Sequence, residues 1–266
     1  MFPDPIRRML TFSNTNIAFG LLLTALTAWG LKHPVAWWVY TLIFIGYSLS
    51  VFYGVYFIQS GFFLKTIYQG TPQAGRAIAL TFDDGPSPEY TPRVLDILKE
   101  HHLKAAFFCI GKNIAGNEAL LQRIAREGHV IGNHSFTHHM WFDLFSVNKM
   151  SEELQQTDRL IETATGKRPA LFRPPYGVIN PHVRDAVRQS GHQVIGWNVR
   201  SYDTMINDKH KLMHRLMRLL RPGAVVLLHD HGKRTLEVLP EFIRAVQEQG
   251  YTIEPLDKLI NVRPYV

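Results

Sequence analysis

The chain has 266 residues, 46% of them hydrophobic and 19% charged, with a formal net charge of +7. That hydrophobic content excludes a disordered protein, and Cys109, the only cysteine, excludes a disulfide scaffold. The length allows one or two domains, and the charge splits the chain in two: residues 1–70 hold only Asp4, Arg7, Arg8, Lys32 and Lys65.

The front is apolar. Residues 17–31 read IAFGLLLTALTAWGL, and residues 35–58 follow the Lys32-His33-Pro34 break as 24 residues without a charge. A helix crosses the hydrocarbon of a bilayer with about 20 apolar residues, so the second run is long enough. The first reaches that length only by borrowing Ser13, Asn14, Thr15 and Asn16. The candidate spans are therefore 13–31 and 35–58. Trp29, Trp37, Trp38 and Tyr40 fall where an interfacial aromatic belt would lie. A buried hairpin competes with this reading, but the body would then have to cover a helix that is apolar on every side. No Ala-x-Ala site precedes Lys32, which argues against a cleaved signal peptide. The expectation is a protein anchored in the cell membrane by residues 1–70. If both runs span, Arg7, Arg8, Lys65 and Arg76 flank one side against Lys32 on the other, and the positive-inside bias places the body in the cytoplasm. If only the second spans, the body lies outside.

Residues 70–75 are turn formers and read as a linker to a globular domain over 71–266. In that domain short apolar runs alternate with amphipathic stretches. Strands are expected at 77–81, 105–110, 129–133, 170–172, 192–199, 224–228 and 251–253. Helices are expected at 91–101, 118–127, 151–165, 181–190, 209–220 and 236–249, with Ser151 suited to open the third. Helices between strands force parallel pairing. The fold class is α/β, and a closed or nearly closed (β/α) barrel of seven or eight units is the expected solution. The body's small basic surplus forms no run, so no nucleic-acid partner is expected.

Asp83-Asp84, His134/His138, Arg173/Tyr176, Asp203 and His229 all follow the C-terminal ends of expected strands. In a parallel barrel those ends share the face where chemistry is built. His134-Ser-Phe-Thr-His138 spaces two imidazoles four apart, and on a helical turn both would reach one ion. A carboxylate would complete the set and leave open positions for water and substrate. Two ordinary surface histidines and an acidic Asp-Asp-Gly-Pro turn are the bland alternatives. Of two adjacent carboxylates, one can ligate while the other faces the attacking water and takes its proton.

Thr81-Phe82-Asp83-Asp84-Gly85-Pro86, His134-Ser135-Phe136-Thr137-His138, Arg173-Pro174-Pro175-Tyr176 and Leu227-Leu228-His229 occur in this order. Together they resemble the motifs of the NodB-homology polysaccharide deacetylases, carbohydrate esterase family 4, over about residues 76–255. The resemblance implies a distorted (β/α) barrel and a hydrolase that removes N-acetyl groups from N-acetylhexosamine units of a polysaccharide or glycoconjugate, releasing acetate. It implies Asp83 as catalytic base and Asp84, His134 and His138 as ligands of a divalent metal, usually zinc. Arg173 would hold the base, the Tyr176 N–H would meet the oxyanion, and His229, tuned by Asp203, would protonate the leaving amine.

One segment departs from the pattern. Where the family often has Asp-x-x-Asp-Trp, this chain has Arg200-Ser201-Tyr202-Asp203-Thr204. Asp203 is kept, but an arginine replaces the first Asp and a threonine the Trp. Arg200 would either meet an anionic group or be a solvated surface charge. The same site could serve O-acetyl esters, as in xylan, or a lipid-linked sugar at the membrane. A binding protein with a dead site would lack one of Asp83, Asp84, His134, His138 or His229, and none is missing. His101, His102, His139 and His231 carry no matching role. Cys109 reads as a buried core thiol, and Trp197 as core or groove wall.

Overall fold

A computed structural model describes residues 10–266. Asp4, Arg7 and Arg8, which the topology argument uses, lie outside the described residues. The front forms helices α1 (Phe12–Gly30) and α2 (Trp37–Tyr56). They lie against each other, with Tyr47 Oη donating to Asn16 Oδ1 at 2.9 Å and Phe19 edge-on to Tyr47. Their apolar side chains, among them Leu21, Trp29, Trp37, Phe44 and Leu49, face outward. Among the described residues only α2 is long and apolar enough to cross a membrane. The polar first turn of α1 is the difference.

The body is one parallel sheet with helices outside it. In chain order its elements are β1 (Ala77–Asp83), α3 (Thr91–Glu100), β2 (Ala106–Cys109), α4 (Gly111–Ile114), α5 (Glu118–Arg126), β3 (Val130–Asn133) and α6 (Val147–Thr165). They continue with β4 (Leu171–Phe172), α7 (Pro181–Ser190), β5 (Gln193–Val194), β6 (Val199–Arg200), α8 (Lys209–Leu219), β7 (Ala224–His229), α9 (Lys233–Glu248), β8 (Thr252–Ile253) and α10 (Leu256–Ile260). The strand order is β5-β4-β3-β2-β1-β7-β6, with β8 pairing on β1. Every pair is parallel.

The single strand expected over 192–199 is instead two strands, β5 and β6, at opposite edges of this sheet. The connection of about five peptide units spans at most roughly 17 Å, so the sheet must curl until its edges nearly meet. The barrel is therefore distorted and open at one seam. Residues 66–70 fill it. Ile67 pairs with Ile195 and Gln69 with Ala224, and Gly196 N donates to Ile67 O at 2.8 Å. Ile58, Phe62 and Phe63 join the same core as Ile195, Trp197 and Leu227. The packing of the body thus begins just after α2, not at Gly70 where the turn-forming residues placed the linker.

Two further differences have local causes. Helix α6 starts at Val147, because Ser146 and not Ser151 accepts the Lys149 N–H at 3.3 Å. Helix α9 starts three residues before its first expected position, at Lys233.

Candidate active site

Strand alternation sorts β1 into two faces. Ile78, Leu80 and Phe82 pack outward with α3 and α9 residues such as Leu95 and Phe242, while Thr81 and Asp83 point inward, where both bond Arg173. Asp84 then takes a left-handed backbone, φ 77°, and the neighbouring carboxylates diverge. Asp83 Oδ1 accepts from Arg173 Nη1 at 2.6 Å, whereas Asp84 Oδ1 lies 3.4 Å from His134 Nε2 and 3.5 Å from His138 Nε2. Position 85 has to be glycine, since a Cβ there would lie 2.2 Å from Asp230 Oδ2.

Arg173 is fully buried and bound on every side. It donates to Asp83, to Thr81 Oγ1 (2.9 Å), and to the carbonyls of Ile195 and Gly196 (both 3.1 Å). Its guanidinium carbon lies 4.1 Å over the Phe108 ring. Burial lowers its pKa, Asp83 opposes that, and an arginine remains charged at such a site.

The two histidines do not share a helical turn. Residues 134–139 are a loop with Ser135 at φ 60° and His138 at φ 50°. Its N–H groups find side chains in place of i−4 carbonyls. Asn133 Oδ1 accepts from Ser135 N at 2.8 Å, and Ser135 Oγ from His138 N at 3.1 Å. Glu153 of α6 accepts from Phe136 N (3.0 Å), Thr137 N (2.7 Å) and the Thr137 hydroxyl. His134 Nδ1 lies 2.6 Å from Arg173 O. Donation to that carbonyl places the hydrogen on Nδ1 and leaves the Nε2 lone pair toward Asp84.

These residues fit a divalent cation. One ligand atom from each of Asp84, His134 and His138 lies within 4.8 Å of the others, and Asp84 Oδ1 is buried with no hydrogen-bond partner. Ligands about 2.0–2.1 Å from a tetrahedral zinc are about 3.3 Å apart, close to the 3.4 and 3.5 Å found here. The electrostatics agree. Burial raises the Asp84 carboxyl, but His134, His138 and His229 together hold it well below the usual carboxylate range. Burial and the charge of His134 push His138 down to about 4. Burial opposes a proton on His134, yet Asp83 and Asp84 raise its pKa overall, as expected where a positive charge belongs.

His229 ends β7, whose register sets it directly beside Asp83. Its Nδ1 lies 2.8 Å from Asp203 Oδ1, and Asp203 also accepts from the His229 N–H (2.8 Å), Ser201 Oγ (2.7 Å) and the Thr235 hydroxyl. Burial alone would lower the His229 pKa; the bond to Asp203 and its charge raise it to about 9. His229 Nε2 lies 3.9 Å from Asp84 Oδ2. Tyr176, at φ 59°, is half exposed with its ring 4.8 Å from that of His138.

Asp83, Asp84, His134, His138, Tyr176 and His229 line one cavity of about 370 Å3. Arg173 and Asp203 stand behind it and orient what faces it. All eight residues expected from the sequence are thus brought to one place. Comparison with known proteins agrees with this picture. Residues 70–195 match the family model described as polysaccharide deacetylase. The chain is 35% identical over 189 residues to the peptidoglycan-N-acetylmuramic acid deacetylase PdaA of Bacillus subtilis, covering 70% of this chain and 72% of that one. The chain belongs to the polysaccharide deacetylases of carbohydrate esterase family 4. The deacetylases it matches are hydrolases of N-acetyl amide bonds, and the chain is an enzyme of that class. It is also 34% identical over 187 residues to the peptidoglycan-N-acetylglucosamine deacetylase PgdA of Listeria monocytogenes, covering 70% of this chain and 39% of that longer one. The crystal structure of the Bc1960 peptidoglycan N-acetylglucosamine deacetylase superposes with a TM-score of 0.70 at 28% identity, covering 75% of this chain and 94% of that one. None of these matches covers the whole of this chain.

The sequence reading missed several supports. His231, dismissed there, places Nδ1 3.4 Å from Asp84 Oδ2. Asp230 is fully buried, and burial pushes its carboxyl up to about 7. Glu153, Thr81 and Thr235 carry hydrogen bonds that position the loop, the arginine and Asp203. Thr81 stands in the first motif but no role was given to it there, and no local pattern marks Glu153 or Thr235; only their partners do.

Proposed function

We propose that the chain is a zinc-dependent deacetylase that removes N-acetyl groups from N-acetylhexosamine units of a cell-wall-type glycan, releasing acetate. The observation that carries this reading is a carboxylate bonded to a buried arginine and an imidazole bonded to a buried carboxylate, both facing one cavity. Asp83 Oδ1 accepts from Arg173 Nη1 at 2.6 Å, while Asp203 raises the His229 pKa to about 9. A carboxylate and an imidazole placed in this way can serve as base and acid.

In this reading Asp84, His134 and His138 hold the ion, which when bound supplies Lewis-acid polarisation of the acetamide carbonyl and acidifies the attacking water. Asp83 takes the proton from that water. The Tyr176 N–H donates to the oxygen that becomes negative as the carbonyl carbon turns tetrahedral. His229 gives its proton to the sugar nitrogen as the C–N bond breaks, so the amine leaves neutral and acetate remains. Arg173 and Asp203 do not touch substrate; Arg173 orients Asp83 through a charge-assisted bond, and Asp203 raises the pKa of His229.

The test is acetate release from N-acetylglucosamine oligomers by the full chain in detergent. Release should require zinc and stop with a chelator. Asp83→Asn should lower kcat at least 100-fold while the purified variant keeps its zinc. Unchanged release in that variant would refute the assignment.

The membrane part of the reading rests on α2 and on how the body begins. Ile179 N donates to Val55 O of α2 at 3.1 Å, and Gln59 Nε2 to the carbonyl of Trp197, a cavity-wall residue. A span by α2 would hold the site next to the bilayer. This attachment is also what favours a lipid-linked sugar as the second reading. Reporter fusions at Val266 separate the two, since a cytoplasmic body would sink the cell-wall reading.

A further inference from the structure

One wall of the cavity carries a positive charge that the deacetylation chemistry does not use. Arg200 lines the cavity together with Trp197 and Tyr202. Its guanidinium carbon lies 5.4 Å from the Trp197 ring centroid and 4.8 Å from that of Tyr202. Arg215 of α8 lies 4.5 Å from the same Tyr202 ring, and its Nε donates to the Arg200 carbonyl at 3.0 Å. One tyrosine thus carries two guanidinium groups. Tyr202 sits at φ 61°, a left-handed backbone that a bulky residue adopts only when its surroundings hold it.

The charges here are not neutralised. The other charged groups of the cavity have opposite partners: Asp83 has Arg173, and Asp84 has the histidines. Neither Arg200 nor Arg215 takes part in any ion pair among the described residues, and Arg200 is half-buried, not a solvated surface side chain. Two like charges sharing a ring repel, and an oxyanion between them and the sugar site would relieve that. A guanidinium laid against aromatic faces keeps its N–H edge free, and that edge matches the paired oxygens of a carboxylate or a phosphate. The position is also the one where this chain reverses the charge of the family pattern, Arg200 standing where an Asp is usual.

We infer that Arg200, braced by Trp197, Tyr202 and Arg215, is an anion subsite, and that the preferred substrate is an N-acetylhexosamine bearing a carboxylate or a phosphate on the sugar. This rests on the deacetylase reading above.

The experiment compares two matched pairs with the zinc-loaded full chain in detergent. One pair is a glycan oligomer containing N-acetylmuramic acid with its carboxylate free, and the same oligomer methyl-esterified. The other is N-acetylglucosamine 1-phosphate and N-acetylglucosamine. A charge-assisted hydrogen bond is worth about tenfold or more, so kcat/KM should favour the charged member of at least one pair by that factor. Preference in the first pair alone identifies a carboxylate, in the second alone a phosphate. The preference should shrink as salt rises, because part of it is screened attraction. Arg200→Ala should bring the ratio within a pair close to one, and Arg200→Lys should restore part of it. Ratios near one in the wild type overturn the inference, as does a preference that survives Arg200→Ala. If that variant does not fold, the wild-type ratios and their salt dependence decide. Release from none of the four substrates overturns the deacetylase reading itself and this inference with it.

Discussion

Asp203 illustrates how single residues set the working range. It raises the His229 pKa from 6.5 to about 9, against burial, so the imidazole is protonated at neutral pH and can act as an acid. Asp203→Asn removes the largest upward contribution and leaves the burial with the smaller pull of Asp83 and Asp84, so the alkaline limb of kcat/KM should move to lower pH, measured as a pH–rate profile. The same pair contributes to stability. Because the folded-state pKa is raised, the contribution is fully present below about pH 6.5 and is lost as pH rises through about 9. The shift corresponds to about 3 kcal/mol at most. Denaturant unfolding at pH 6 and pH 9.5 should show the loss in the wild type and a flatter response in Asp203→Asn. The residues themselves were legible: Asp83, Asp84, His134, His138 and His229 stand in ordered motifs. One turn of backbone at Asp84 sends the adjacent carboxylates to different partners.

At the scale of elements, the least legible part is the loop that presents the histidines. Spacing of four pointed to a helical turn, and the result, two imidazoles on one ion site, is reached by a different backbone. The hydrogen bonds that hold the loop come from Asn133 and from Glu153, which lies 15 residues beyond His138 on α6. Removing Glu153 leaves two loop N–H groups and a hydroxyl without their acceptor. Glu153→Ala should weaken zinc binding about 10–100-fold, read by competition with a chelator, while Asp84, His134 and His138 remain intact. Preserved affinity would show that Asn133 and Ser135 suffice to hold the loop. Helices α3 and α5 to α9 were read more easily, because each carries a stripe of apolar residues toward the sheet, whereas α4 and α10, of four and five residues, are too short to show one. Helix α6 was misplaced only at its start, where two serines could serve as the cap and Ser146 does.

The whole molecule shows a body whose seam is closed by the segment leaving the apolar helix α2. Ile58, Phe62 and Phe63 are buried in its core. Their burial is worth roughly 5–8 kcal/mol together, comparable with the entire stability of a typical domain. A chain starting at residue 71 should therefore fail to fold or melt far below the full chain, whereas one starting at residue 57 should keep a cooperative transition. Thermal unfolding of the two truncations checks this, and equal melting temperatures would show that the seam is dispensable. By itself the sequence determined the parallel α/β class, the apolar front, the order of the motifs and the candidate side chains of the site, because periodicity and residue chemistry are local properties. Only the tertiary structure decided where the body begins, that one expected strand becomes the two edges of a curled sheet, which distant side chains hold the histidine loop, and that Arg200 faces the cavity with no acid beside it. Each of these depends on contacts between residues far apart in the chain, and such contacts leave no periodic trace in the sequence.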